Sequence, residues 1–431
     1  MKHSFISLLC ALFMTSLTSA GQSKSVRIAV ASDVHVMAPS LLVSEGEAYA
    51  EYMKNDRKLL KESPALLDAL TARMIDEHPD FVFLTGDLTK DGELESHRYL
   101  VEHCLKKLAA AGIAAYVIPG NHDVNNPHAE HFDGSKAERV ETVSPKTFSE
   151  IYADYGYGKA VARDTASLSY VFQLTPTLRV LALDACKYYL NDFDKNECRH
   201  DGVLKEATIR FAEEQIAKAH AEGMHIIGMM HHGLMEHWKY QNRVLPGYVI
   251  DNSKDVCKRL RKSGLRVVFT GHLHAQDIVS DGNGLYDVET GSLVSYPSPY
   301  RVAVLDEETL QLEGKRIHSI AYDTKGVSYA DYAREHTAEG FRTIISRMFP
   351  GNVPDSLRAE AVEVITDAMC DNYAGDEHLT PQRDEQIKRV KKALRKYTFK
   401  RSLIFNAVAR SLWSDLNTKD NNLTISPFDK K

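Results

Sequence analysis

Five short stretches of the chain carry residues that can bind metal: Asp33-x-His35, Gly86-Asp87, Gly120-Asn121-His122-Asp123, His231-His232 and Gly271-His272-Leu273-His274. Together they offer hard carboxylate and amide oxygens and borderline imidazole nitrogens, a donor set that suits Mn, Fe or Zn better than Ca or a thiolate site. Seven such ligands are too many for one four-coordinate zinc, and two metals can share them. A carboxylate between two cations can bridge them, and two metals about 3.5–4 Å apart can clamp a phosphate and generate a hydroxide.

These residues need elements that hold them. Arg27 to Ser32, Asp80 to Thr85, Ile113 to Pro119, His225 to Met230 and Leu265 to Thr270 are apolar runs that read as buried strands. Each ends directly in one of the five clusters. In an α/β sheet, functional groups collect at the carboxyl ends of strands. The one-residue spacing in Asp33-x-His35 and His272-x-His274 lets both members of a pair point the same way, whereas the adjacent His231 and His232 point to opposite faces.

In this order, across roughly residues 26–320, the five clusters resemble the calcineurin-like metallophosphoesterases. Closer still, the chain resembles the secreted bacterial members described as cyclic-nucleotide phosphodiesterase-like. Ala38-Pro39-Ser40-Leu41, Ser144-Pro145 leading to Ile151-Tyr152-Ala153-Asp154-Tyr155-Gly156-Tyr157, and the segment from His231-His232 to His237 carry that likeness. The resemblance implies an α/β fold, a four-layer α/β/β/α sandwich with a helical C-terminal domain. It implies two divalent or trivalent metal ions, Mn, Fe or Zn. Asp33, His35 and His274 would hold one, Asn121, His231 and His272 the other, and Asp87 would bridge. His122 is then the candidate to protonate the leaving group or steady the phosphate, and Asp123 to orient that turn. His232 is expected behind His231 or facing substrate, and His237 near the site mouth. Protein phosphatases of this superfamily place an Asp three positions after the bridging Asp, and purple acid phosphatases place a Tyr there. Here the slot is Lys90, followed by Asp91-Gly92, which argues against both and against a His-Asp dyad at His122.

The remaining sequence sets the context. The chain has 431 residues, 43% of them hydrophobic, enough for two domains with a substantial core. Lys2, an apolar run from Phe5 to Leu17 and Thr18-Ser19-Ala20 read as a signal peptide over residues 1–20, so the expected location is secreted or periplasmic, with no membrane attachment after cleavage. Residues 24–321 are then the catalytic domain and 322–431 the helical one. The net charge of −6 gives no basis for a nucleic-acid partner. The expected function is an exported phosphoesterase for a small phosphodiester such as a cyclic nucleotide. The alternatives are a phosphomonoesterase for nucleotides or sugar phosphates and, in another class, a non-catalytic metal-binding surface interaction protein.

Several local expectations follow. The insertion Met37 to Glu62, with Tyr49, Tyr52, Lys54, Asn55 and Arg57, is a candidate substrate wall. Ser63-Pro64 opens a helix, with Ser63 as its cap. Glu93 to Ala111 reads as a helix with His97 and His103 on its surface, and residues 128–143, with His128 and His131, as a solvated loop. Asp277 to Val288 and Arg301 to Ile317 read as hairpins of a second sheet. Cys186 and Cys198 could pair across a polar loop or remain free thiols.

Overall fold

The computed structural model describes residues 25–428 apart from Asn55, Asp415 and Asn417; the signal peptide expected over residues 1–20 lies outside the described residues. Two large sheets form the centre. The first has six strands in the order Asn422–Ile425, Leu310–Arg316, Pro299–Leu305, Val26–Ala31, Phe81–Leu84, Ala114–Val117. The second has seven, in the order Asp277–Ser280, Tyr286–Glu289, Val267–Thr270, His225–Met230, Leu178–Leu183, Tyr170–Thr175, Ala162–Arg163. Val26–Ala31, Phe81–Leu84 and Ala114–Val117 are mutually parallel, as are Leu178–Leu183, His225–Met230, Val267–Thr270 and Tyr286–Glu289. Parallel strands covered on both faces must be apolar on both, and Leu178–Leu183 is buried along its whole length.

The sheets pack face to face through aromatic rings. Phe83 of the first sheet meets Phe172 and Phe269 of the second edge-on at centroid distances of 6.0 and 6.1 Å, and Tyr116 stacks on Phe172 at 3.8 Å. Helices cover the outer faces. Ser63–Asp76 packs Leu66, Leu67, Leu70 and Met74 on the first sheet, while Glu206–Ala221 and Ser253–Ser263 pack Ile209, Ile216, Val256 and Leu260 on the second. The result is the four-layer α/β/β/α arrangement. The two late hairpins do not share a sheet: Asp277–Ser280 with Tyr286–Glu289 edges the second, and Pro299–Leu305 with Leu310–Arg316 extends the first.

Arg301 joins these layers. It is wholly buried in Pro299–Leu305, yet its guanidinium donates to carbonyls of the other sheet, Glu289 (2.9 and 2.6 Å) and Asp277 (3.1 Å), and to Asp420 (2.5 Å) in the C-terminal segment. Arg301→Met removes the guanidinium donor from three buried carbonyls. It should lower unfolding stability by about 3 kcal/mol, read from urea or guanidinium midpoints at unchanged slope.

Four helices follow the catalytic layers: Tyr329–Ser346, Asp355–Ala374, Pro381–Leu394 and Phe399–Leu412. Ser328 and Thr380 cap two of them, accepting from the Asp331 and Arg383 amides. Their core includes Trp238, Leu273 and Ala275 from the catalytic layers. This C-terminal region is not helical throughout, because Asn422–Ile425 returns to the first sheet and pairs antiparallel with Leu310–Arg316. Among the described residues no helix is long and apolar enough to cross a membrane.

Two local expectations are corrected, and one open alternative is resolved. Residues 130–139 are not a loop: Glu130–Asp133 and Lys136–Arg139 form a hairpin that pairs with Leu42–Ser44. Ser63 is not a cap; its hydroxyl accepts from the Met37 amide at 3.0 Å and donates to the Leu60 carbonyl at 2.7 Å. Cys186, Cys198, Cys104, Cys257 and Cys370 are free thiols.

Candidate metal centre

The five strands bring their carboxyl ends to one place, and the backbone there is strained. Asp33, His35, Asp87, His272 and His274 all have φ in the left-handed region, at 49, 40, 48, 80 and 69°. L-residues rarely adopt it, and such strain gathers at functional sites. Glycines make the close approach possible: a Cβ at Gly120 would clash with Asp87 Oδ1, and one at Gly271 with Ser32 Oγ.

Each carboxylate has one oxygen tied back and one turned inward. Asp33 Oδ2 accepts from Ser32 Oγ (2.6 Å) and the His272 amide (2.9 Å), while Oδ1 lies 3.2 Å from His274 Nε2 and 3.8 Å from His35 Nε2. Asp87 Oδ1 accepts from the His122 amide (2.8 Å), while Oδ2 lies 3.5 Å from His35 Nε2 and 3.3 Å from His231 Nε2. Asp87 therefore stands between two groups. Asp33, His35 and His274 can hold one ion, and Asp87, His231 and His272 a second, with Asn121 Oδ1 3.2 Å from His231 Nε2. A third grouping, His35, Asp87 and His122, shares atoms with the first two.

Outer hydrogen bonds fix the rings. His231 Nδ1 lies 2.9 Å from the Thr85 carbonyl, which turns Nε2 toward Asp87. His272 Nε2 is 3.3 Å from the Gly247 carbonyl, and His274 Nδ1 is 3.3 Å from Ser295 Oγ. Burial, with help from the Lys58 charge, pushes His35 down to about 3, and burial also lowers His272 and His274, so these imidazoles are neutral and can donate to a cation. Burial alone would raise Asp33 and Asp87, but the surrounding histidines hold both well below the usual carboxylate range. His231 goes the other way: against burial, Asp87 and Asp33 push it up to about 10. Asp33 Oδ1 and both ring nitrogens of His35 are buried without a hydrogen-bond partner. Buried polar atoms are ordinarily paired, and unpaired ones converging from several strands fit a cation.

His122 differs from the rest. Its Nδ1 sits 2.7 Å from Asp91 Oδ1 and 2.8 Å from the Lys90 carbonyl, and its side chain is 25% exposed, against 9% or less for His35, His231 and His274. Two acceptors at Nδ1 place the proton there and leave Nε2 facing the centre, 4.0 Å from Asp87 Oδ2. A His-Asp dyad is thus present, contrary to the sequence expectation, with its Asp one position later than the slot held by Lys90. Lys90 is buried and pairs with Asp91 (2.5 Å) and Glu93 (2.9 Å), and Tyr52 donates to Asp91 at 2.8 Å. The contacts around Asp91 hold its carboxyl far below the usual range against burial, Lys90 foremost among them.

Other sequence candidates fall around this core. Asp123 is buried and accepts from the amides of Leu88 (3.1 Å), Thr89 (3.0 Å) and Gly120 (2.8 Å), so it ties the Asp87 turn to the Gly120 turn. His97 is not on a helix surface: wholly buried, it bonds Tyr152 Oη (2.8 Å) and the Asp123 carbonyl (2.9 Å). His232 lies behind His231, with Nε2 3.0 Å from the His200 carbonyl, and burial and the His231 charge push it down to about 3. His237 does not reach the mouth. It is buried against Asp277 (3.4 Å), Asp287 (3.4 Å) and Glu289 (3.2 Å), whose charges overcome burial and hold it well above its ordinary value. In the insertion, Arg57 meets Tyr373, and Lys58 is buried beside Asp56. Asn55 lies outside the described residues. Among the residues around the centre, Lys58 and Asp91 were given no role by the sequence reading.

His231 and His232 can be separated by replacement. His231→Ala should lose one metal per chain by elemental analysis. His232→Ala should keep both, with metal affinity reduced by about 10–100-fold at most, as for a supporting contact. The reverse pattern would exchange their roles.

A four-layer sandwich with this strand-end constellation defines a metallophosphoesterase. The chain belongs to the calcineurin-like phosphoesterase family, whose model matches residues 26–276. That family implies two divalent metal ions. Similar solved structures include a dimetal phosphatase from Danio rerio, 14% identical, TM-score 0.48, with 68% of this chain and 97% of that one covered. A purple acid phosphatase from yellow lupin is 13% identical, TM-score 0.40, covering 72% of this chain and 53% of that one. An uncharacterized phosphoesterase from Streptococcus pneumoniae is 14% identical, TM-score 0.27, covering 71% and 96%. No curated protein matches the sequence.

Proposed function

We propose that the chain is an exported hydrolase of small phosphodiesters. The observation that carries this reading is the His122–Asp91 pair on the open side of a shared carboxylate, Asp87. Two cations held by Asp33, His35, His274, Asn121, His231 and His272, with Asp87 between them, would supply the charge that attracts a phosphate and ionises water. The chain's own residues do the rest. The His122 amide holds Asp87 in its bridging rotamer. Asp91 and the Lys90 carbonyl orient the imidazole so that Nε2 can deliver a proton to a leaving oxygen. An alcohol leaving from a diester needs that proton. Tyr248, 4.7 Å from the His272 ring, and Tyr373, 6.3 Å from the His274 ring, offer walls for the second ester arm. A cyclic nucleotide is one member of this class.

A phosphomonoesterase is the second reading, favoured by Lys58, a buried cation whose charge reaches both His35 and His122 and would suit a dianion. Export rests on residues 1–20 and is tested by the amino terminus of the native protein, expected at Gly21. One panel separates the activities: purified protein with Mn(II), bis(4-nitrophenyl) phosphate, 4-nitrophenyl phosphate and 3′,5′-cyclic AMP. Faster turnover of diesters supports the first reading, preference for the monoester supports the second, and metal binding without turnover returns a non-catalytic binding protein.

A further inference from the structure

The helices of the C-terminal region, with Arg57, Trp238 and Tyr248 from the preceding layers, line an open-mouthed cavity of about 360 Å³. Protein interiors hold few voids larger than a water molecule, while ligand sites run from about 300 to 1,000 Å³ and are mostly apolar. Arg57 and Arg401 are the charged residues of its lining, and the remainder are aromatic or aliphatic, Phe341, Ile365, Phe405 and Val408 among them. Its inner wall is shared with the metal centre. Tyr248 lines the cavity and stacks nearly parallel on His272, at 4.7 Å and 30°. Tyr373 lines it too, with its ring 6.3 Å from that of His274. The Tyr373 hydroxyl accepts from Arg57 Nε and Nη2 at 3.0 and 2.8 Å, so both polar groups at that end are mutually satisfied. The outer rim is apolar and open: Met348 and Ile404 line the cavity and are 45% and 38% exposed, and Leu403 and Phe399 beside them are 45% and 56% exposed.

We infer that this cavity takes an unbranched apolar arm of the phosphoester, so that the substrate is an amphiphile with its phosphate at the metal centre and its alkyl or acyl chain among the C-terminal helices. The inference rests on the phosphodiesterase reading and narrows it. Three observations select this occupant. Tyr248 and Tyr373 line the cavity on one side and lie against His272 and His274 on the other, so one aromatic layer separates the cavity from a phosphate at the centre, and an arm that passes between these rings reaches it. Its walls are carbon-rich, whereas a nucleobase would bring a hydrogen-bonding edge that such walls leave largely unpaired. The exposed apolar rim gives a chain a continuous apolar path from solvent inward.

The test is a chain-length series of alkyl 4-nitrophenyl phosphates, ethyl to decyl, assayed with Mn(II) below their micelle concentrations. kcat/KM should rise by roughly fourfold per added methylene until the cavity is filled, the gain expected from burying one CH₂ group. Val408→Trp and Ile365→Trp fill the cavity from two different helices, and each should bring the decyl-to-ethyl ratio toward one. That ratio is internal to each preparation, so partial misfolding does not alter it. A flat series in the native protein overturns the inference, as does a rising series that both variants leave unchanged, or cyclic AMP turning over faster than the decyl diester. If no diester is hydrolysed while 4-nitrophenyl phosphate is, the phosphodiesterase reading fails. The cavity is then tested by alkylphosphonates of the same lengths as inhibitors: tightening with length supports the apolar arm, and equal inhibition removes it.

Discussion

Asp87→Asn should abolish metal binding and activity together. Asp87 Oδ2 lies 3.5 Å from His35 Nε2 and 3.3 Å from His231 Nε2, and Oδ1 is fixed by the His122 amide at 2.8 Å. An amide in that place removes a negative charge from between two cations, and its NH₂ group can turn donors toward them. Loss of two-metal stabilisation is worth several kcal/mol, so the expected drop in kcat/KM is about 10³-fold or more. Elemental analysis should show fewer than two metals per chain. A variant that keeps both metals and its activity would remove Asp87 from the bridging position.

His122→Ala should keep both metals and lose about 10²–10⁴-fold in rate on an alkyl leaving group, the usual contribution of a general acid. The loss should be much smaller with 4-nitrophenolate, which leaves without a proton. Asp91→Asn should reproduce part of this effect, because it weakens the hydrogen bond that sets the imidazole tautomer at 2.7 Å. Equal losses on both leaving groups would make His122 a phosphate-binding residue instead. Loss of metal would place it in the alternative grouping with His35 and Asp87.

The strand ends were legible because period and placement coincide. Within each parallel sheet the carboxyl ends share one edge, and the two sheets pack with those edges together, so the three runs of the first sheet and the two of the second that end in Asp, Asn or His meet at one place. The paired sheets were implied by the family resemblance, and the C-terminal helices by that resemblance and by helical periodicity. What escaped depends on contacts distant in sequence. Asp91 was passed over because Lys90 holds the slot where an acid was sought, and nothing local shows that Tyr52 and Lys90 steer Asp91 toward His122. His97 sits in a helix with charged neighbours, and its partners Tyr152 and Asp123 come from turns 55 and 26 residues away. His237 is six residues from His231, but the turn between them sends it into the carboxylates of Asp277, Asp287 and Glu289. The Glu130–Arg139 hairpin did have a signal: Gly134-Ser135 is a favoured two-residue turn, here with Gly134 at φ 60°, hidden by the polarity of its strands. The final strand, Asn422–Ile425, is too short and polar to stand out, and its pairing with Leu310–Arg316 is a tertiary choice.

The most direct test of the two-metal account is a titration of chelator-stripped protein with Mn(II), following bound metal and bis(4-nitrophenyl) phosphate hydrolysis in the same samples. Two ions should bind per chain, and activity should appear with the second. Full activity at one equivalent or none would contradict a centre built on Asp87 as a shared ligand.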